Sequence, residues 1–430
     1  MPSSHIRTVI SGNRSSSDTD TQSSALDVTE SVVRRQPLPS SHKRSRPDPE
    51  GDVDGVSNGS PSPPQRDQHA QVRKDPITGD CTFFAAQRAH RPNQFETVTP
   101  RSKSPHLCAF CHGHENETPA PVWVGKLDPD DRLDSESDWD VRVVPNLYPA
   151  VSTSDGENTC DPILKGSSRK RSAGYGDDSH LFTCEPSLGG HEVVIESPQH
   201  AQSFAELNVA QIALVFQAYV ARLNYWSAVP GIRYISIFKN VGPNAGASVQ
   251  HSHSQLIAST RLPTRVEMIT RRLQAHHARS GSCLQCDLIR GEVERGDRIV
   301  YQSDSLVAYC PYASQQAFQL RIVPRGHQPH FGESDGAMID NVSQLVFRAV
   351  RWLEAIRPET AYNMLLHTCP AHFDGDTSSQ HWAIDLFPRM TRIAGFELSS
   401  GSNINPIFPE HAASAYRHMA RQSDPRFVLV

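Results

Sequence analysis

Apolar positions along the chain recur at two periods, and the same order of periods appears twice. From Phe204 to Trp226, the residues Leu207, Ile212, Val215, Phe216, Tyr219 and Leu223 fall at steps that line one face of an α-helix. Short apolar runs at His191–Glu196 and Arg233–Phe238 flank this helix and read as strands. The tract Lys239–Ser248 (KNVGPNAGAS) is a Gly/Asn/Pro loop, and the next strand is expected to carry Val249–Ile257 (VQHSHSQLI). The second half replays this order. A strand at Gln319–Val323 precedes a helix over Met338–Ile356, with Val342, Leu345, Val346, Val350 and Leu353 on its apolar face. Strands at Tyr362–Leu366 and Trp382–Phe387 follow.

One long helix among short strands in each half predicts an α+β fold rather than a doubly wound parallel sheet. The expected architecture is two repeats, each an antiparallel half-barrel-like sheet with helices packed outside, joined near residue 260. Residues 71–260 form the first repeat and 261–430 the second. Residues 1 to about 70 are dominated by Ser, Asp, Arg and Pro and bury too little apolar area to offset chain entropy, which predicts a disordered tail. A polar stretch at roughly 152–180 interrupts the pattern and reads as a long, mobile surface insertion.

Charge narrows the choice of partners. Lys and Arg number 42 against 47 Asp and Glu, a net charge of -5, so no broad basic surface is offered to a nucleic-acid backbone. No apolar run has the length of a membrane span, and the N-terminus lacks the unbroken apolar core of a secretory signal. The expectation is a cytoplasmic protein that binds neither nucleic acid nor membrane.

Of the nine cysteines, four form two Cys-x2-Cys pairs, Cys108/Cys111 and Cys283/Cys286. In a reducing compartment that spacing points to metal before disulfide. The isolated cysteines at 81, 160, 184, 310 and 369 read as small buried hydrophobes without a role. Laying one half over the other aligns Ile195–His200 with Ile322–His327, and Gln250-His251 with Gln380-His381. Each half then supplies two thiolates and two imidazoles in the same order, the ligand set of a closed tetrahedral structural zinc. The two sites are Cys108, Cys111, His200, His251 and Cys283, Cys286, His327, His381. His112 and His114 crowd the first Cys pair and are the rival ligands to His200; His191 has no counterpart in the second half.

Residues two apart on a strand share a face, which puts His251, His253 and Gln255 together. With His251 on the metal, His253 keeps a free imidazole beside a Gly/Asn loop whose N–H groups can meet phosphate oxygens. Neutral imidazole attacks phosphoanhydrides, and the phosphoramidate it forms is reactive enough to pass the group on. A backbone carbonyl is expected to accept Nδ1–H of His253 and expose Nε2, while the Gln255 amide donates to a non-bridging phosphate oxygen. In the alternative, both histidines ligate metal and there is no nucleophile. The position in the second half that matches His253 is Ala383.

Several tracts together resemble the galactose-1-phosphate uridylyltransferase family of the histidine-triad superfamily, especially its ADP-glucose phosphorylase-like branch. They are Asp75-Pro76, Arg88–Pro92, Cys108–Cys111, Asn146–Pro149, Ile195–His200, Phe238–Asn240, Gly246–Ser248, His251–Gln255, Gly395–Glu397 and Asn405-Pro406. The resemblance covers about residues 72–415. It implies two histidine-triad-like repeats and a reaction in which His253 takes the nucleotidyl group of a nucleotide sugar, releases hexose 1-phosphate and passes the group to an acceptor. That acceptor is a hexose 1-phosphate in a uridylyltransferase of galactose metabolism, or inorganic phosphate in an ADP-glucose phosphorylase. It further implies Arg88 and Arg91 near phosphates, Asn146 near the nucleoside, and Asn240, Gly246, Ser248 and Gln255 along the phosphate site. Phe396 and Glu397 would face the sugar from the neighbouring subunit of a homodimer. Ser252 and Ser254 around the nucleophile, and Lys239 before Asn240, depart from the uridylyltransferase pattern and fit the phosphorylase-like branch better. A third reading, a zinc-held nucleotide-binding protein without catalysis, predicts binding and no covalent adduct.

Overall fold

A computed structural model describes residues 70–86, 88, 108–127, 138–152 and 187–423. The expected tail, almost all of the expected insertion, Arg91, Cys160 and Cys184 lie outside the described residues.

In chain order the elements are β1 (Gln71–Lys74), β2 (Cys81–Phe84), β3 (Trp123–Gly125), β4 (Val141–Pro145), β5 (Gly189–Ile195), α1 (Val209–Ser227), β6 (Tyr234–Val241) and β7 (His253–Ser259). They continue with α2 (Thr264–Ser280), α3 (Leu284–Arg295), β8 (Ile299–Gln302), β9 (Leu306–Tyr309), β10 (Leu320–Pro324), α4 (Gly336–Ile356), β11 (Tyr362–His367) and β12 (Ala383–Pro388). Last come α5 (Gly395–Ser400), β13 (Asn403–Asn405) and α6 (Pro409–Ser423). Helix α4 lies close to its expected span, whereas α1 begins at Val209 rather than near Phe204, because Phe204–Glu206 forms a separate 3-10 turn and Leu207 is extended. Each begins at a side chain that caps it: Asn208 accepts from the Gln211 N–H at 2.8 Å, and Asp335 from the Met338 N–H at 2.8 Å.

Ten strands form one sheet in the order β3-β4-β5-β7-β6-β11-β12-β10-β9-β8. Every pairing in it is antiparallel. The two separate half-sheets expected from the sequence are thus one ladder, closed by the pairing of β6 with β11 from Tyr362↔Val241 to Leu366↔Ile237. The physical reason is that β6 is eight residues long and would otherwise leave a row of unpaired backbone groups. Reading outward from that seam, β6-β7-β5-β4-β3 on one side and β11-β12-β10-β9-β8 on the other follow the same pattern of connections. A second sheet, β1-β2-β13, was not expected; it contains the parallel pairing of β13 with β2.

The main core lies between one face of the large sheet and the helices α1, α4 and α6. Ile237, Leu256, Ile322 and Ile384 meet Val215, Phe216, Val346 and Leu353 there, all buried. The opposite face is covered locally, by Phe110 and Trp139 over Val193 and Ile195, and by Ile289 and Val293 of α3 over Val307 and Val323. Among the described residues no helix is long and apolar enough to cross a membrane.

Candidate active site

Two four-residue clusters flank the sheet, Cys108, Cys111, His200, His251 and Cys283, Cys286, His327, His381, with the ligand atoms of each within 4.8 Å of one another. In the first, Cys111 Sγ lies 3.4 Å from His200 Nδ1 and 3.5 Å from His251 Nδ1, and Cys108 Sγ lies 3.6 Å from His251 Nδ1. In the second, Cys286 Sγ lies 3.5 Å from Nδ1 of both His327 and His381. A tetrahedral ion with two sulfur and two nitrogen ligands has S···N edges of roughly 3.5 Å, so both sets fit one. The far nitrogens agree. His251 Nε2 donates to the Ser197 carbonyl at 2.8 Å and His381 Nε2 to the Pro324 carbonyl at 3.1 Å, which leaves each Nδ1 with its lone pair toward the thiols. Burial and the neighbouring Cys108 push the Cys111 thiol up to about 11, a cost that a cation held by the cluster would offset. His112 is exposed and His114 bonds Glu117 at 2.8 Å; neither joins the cluster.

Strand β7 begins at His253, later than the sequence pattern suggests, because His251 is drawn into the cysteine cluster just before it. His253 is buried, with Phe110 against its ring at 5.5 Å. Its Nδ1 lies 2.7 Å from the His251 carbonyl oxygen, which only accepts, so Nδ1 carries the proton and Nε2 a lone pair. Burial, with the nearby Lys239 cation, moves the imidazole down from its ordinary value.

On the helix-facing side of this strand sits a closed polar network. Lys239 Nζ donates to Glu196, to Ser252 Oγ at 2.8 Å and to the His253 carbonyl at 3.3 Å, and lies over the Phe204 ring at 4.5 Å. Ser252 and Ser254 both donate to Glu196, and Tyr219 donates to Ser254 Oγ at 2.5 Å. Burial lowers the Lys239 pKa against the pull of Glu196. The three positions that depart from the uridylyltransferase pattern, Lys239, Ser252 and Ser254, are thus members of one buried network. Glu196 and Tyr219 complete it, and sequence reasoning assigned neither a role.

On the other side Gln255 Oε1 lies 2.9 Å from His191 Nε2, and the Ala150 N–H donates to His191 Nδ1 at 3.1 Å. Asn146 Oδ1 accepts the Tyr148 N–H at 2.8 Å, and its Nδ2 lies 3.1 Å from His191 Nε2. Lys239 pairs with Ser254, so Asn240 follows opposite His253 across the ladder. Its Oδ1 accepts from Asn363 Nδ2 at 2.7 Å. Asn363 also donates to the Ala245 carbonyl at 2.8 Å and accepts from Arg389 Nε. The structure therefore brings His253, Gln255, Asn146 and Asn240 together. Gly246 ends the turn of the neighbouring loop at φ 86°, a left-handed position, with Ser248 exposed beyond it. Arg88 is exposed. Phe396 packs edge-on against Phe83 at 5.3 Å, and Glu397 accepts the Ala394 N–H at 3.1 Å, so within one chain their contacts lie elsewhere. Roles for His191, Asn363 and Arg389 had no sequence signal beyond residue type, since their contacts depend on strand register.

The family described as galactose-1-phosphate uridyl transferase, N-terminal domain, matches residues 62–263. The chain is 31% identical over 377 residues to an ADP-glucose phosphorylase of Arabidopsis thaliana, covering 86% of this chain and 96% of that one. It is 22% identical over 356 residues to a galactose-1-phosphate uridylyltransferase of Thermotoga maritima, covering 81% and 98%. The crystal structure of an Arabidopsis thaliana ADP-glucose phosphorylase with bound ADP-glucose superposes with a TM-score of 0.66 at 28% identity, covering 81% of this chain and 99% of that one. Fold, site and relatives define an enzyme of the nucleotidyltransferase class. The chain belongs to the galactose-1-phosphate uridylyltransferase family.

Proposed function

We propose that the protein moves a nucleotidyl group from a nucleotide sugar to an acceptor through a covalent nucleotidyl-His253. The observation that carries this reading is the bond from His253 Nδ1–H to the His251 carbonyl, which leaves Nε2 as the nucleophile. In the first step the Nε2 lone pair forms a bond to the α-phosphorus, the bond from phosphorus to the bridging oxygen breaks, and hexose 1-phosphate departs with that electron pair. Nδ1–H stays on the ring, where the His251 carbonyl offsets the positive charge that develops. In the second step an acceptor oxygen attacks the same phosphorus, the P–N bond breaks, and neutral imidazole returns. Gln255 and Asn240 donate to the phosphate oxygens, Gly246 and Ser248 border them, and Arg88 and Arg91 add positive charge. Asn146 meets the nucleoside. Phe396 and Glu397 reach the sugar of the partner subunit's site in a homodimer.

Cys108, Cys111, His200 and His251 would hold one structural zinc, and Cys283, Cys286, His327 and His381 another. An ion in the first cluster would keep His251 off the substrate and its carbonyl fixed against His253, supplying rigidity rather than Lewis acidity. The chain is read as an internal duplication in which the second half, with Ala383 two residues after His381, has lost the nucleophile. A cytoplasmic location fits the unpaired thiols of the seven cysteines among the described residues.

Adenylyl transfer to inorganic phosphate is supported by the higher identity to the ADP-glucose phosphorylase, 31%, than to the Thermotoga maritima uridylyltransferase, 22%. Uridylyl exchange between hexose 1-phosphates is the second reading, supported by the family match over residues 62–263. Incubation with ADP-glucose and, separately, UDP-glucose, followed by intact-mass measurement, tests both. A gain of one AMP or one UMP, absent from His253→Ala, is expected; no gain with either donor overturns covalent transfer and leaves a nucleotide-binding protein.

A further inference from the structure

The side-chain amides around His253 are not free to present either end to a ligand. The Ala150 N–H can only donate, so His191 Nδ1 accepts, and a neutral ring then carries its proton on Nε2. Nε2–H donates to Gln255 Oε1, which turns the Gln255 NH2 away from His191. Among the described residues that NH2 has no other partner. At Asn363 the orientation is fixed twice, because Arg389 Nε only donates to its oxygen and the Ala245 carbonyl only accepts from its nitrogen. The remaining Asn363 proton goes to Asn240 Oδ1, leaving the Asn240 NH2 as the end available to a ligand. At Asn146 the Tyr148 N–H occupies the oxygen. The Asn146 NH2 faces His191 Nε2–H, and two donors do not bond, so its protons also remain available.

We propose that His191 and Asn363 are positioning residues that lock Gln255 and Asn240 as hydrogen-bond donors, so that the side-chain amides grouped near His253 turn N–H groups to a ligand and select an anionic, oxygen-rich group such as a phosphoanhydride. This rests on the reading of His253 as nucleophile. An amide turned the other way sets a lone pair against a phosphate oxygen and removes one donor from the developing charge. His191 works through Gln255 and Asn363 through Asn240; neither touches the reacting phosphorus.

The test is a pair of double-mutant cycles, His191→Leu with Gln255→Ala and Asn363→Leu with Asn240→Ala, read as the single-turnover rate of nucleotidyl-enzyme formation from ADP-glucose and UDP-glucose. Each single variant should slow adduct formation by roughly 10–100-fold, and each double variant by no more than its slower single. His191→Gln, whose amide nitrogen can take the place of Nε2–H, should recover most of the rate, and it keeps the test open if His191→Leu does not fold. Multiplying effects in both cycles, or a His191→Gln variant as slow as His191→Leu, overturns the proposal. If the wild-type chain forms no adduct, the covalent reading fails separately. The same cycles read on the dissociation constant of ADP-glucose by calorimetry then decide the positioning roles, and independent effects or absent binding count against them.

Discussion

Lys239 is a cation at zero exposure whose three protons go to Glu196, Ser252 and the His253 carbonyl. Lys239→Met leaves Glu196 buried without its counter-ion, a loss expected to cost about 3–5 kcal/mol. A urea titration checks this: the midpoint should fall sharply for the single variant and recover in part for Lys239→Met with Glu196→Gln, and an unmoved midpoint would discount the pair. His253→Ala should instead spare the fold and cut hexose 1-phosphate release by at least about a thousandfold in a donor-cleavage assay. The cluster ligands were legible in the sequence because their spacing recurs in both halves, whereas His253 stood out only as the histidine two residues beyond His251, with Ala383 at the matching place. His191, Asn363 and Glu196 were not, because their parts depend on which donor faces which acceptor, and that needs the strand register.

At the scale of elements, α1 and α4 were readable from apolar spacing; the Asp335 cap precedes the expected face of α4, while the Asn208 cap sets the start of α1 just after Leu207. The seam between β6 and β11 was not, since pairing across more than a hundred residues leaves no local pattern. The packing of α1 on β5 yields a sharp expectation. A Cβ on Gly190 would come within 1.9 Å of the Trp226 ring, whose Nε1 donates to Glu192 at 3.0 Å. Gly190→Ala must push that indole aside, at a cost of about 1–3 kcal/mol. Changed tryptophan fluorescence together with a lower thermal midpoint is the expected result.

Two properties belong to the whole molecule. If both clusters hold zinc, each ties segments far apart in sequence, and metal removal is worth on the order of 10 kcal/mol per site. Prolonged chelation should therefore collapse the thermal midpoint, and added zinc should restore it. Acid should act as well. Burial alone would raise the Asp385 carboxyl, but Arg321, at 2.8 and 2.6 Å, holds it below the usual carboxylate range. A depressed folded-state pKa gives stability that is present above the unfolded value of about 4 and lost as pH falls below it. Asp385→Asn should be less stable at neutral pH and show a shallower fall in denaturation midpoint below about pH 4.

The seam also sets a limit on how the chain can be divided. The outermost strands of the ladder, β3 and β8, have three and four residues, and the pairing of β8 with β9 shifts register near Ile299. Such stubs recruit other chains poorly. Cutting near residue 260 would strip the cover from β6 and give each fragment a long bare margin, so the separated pieces should precipitate with copies of themselves unless they find each other first.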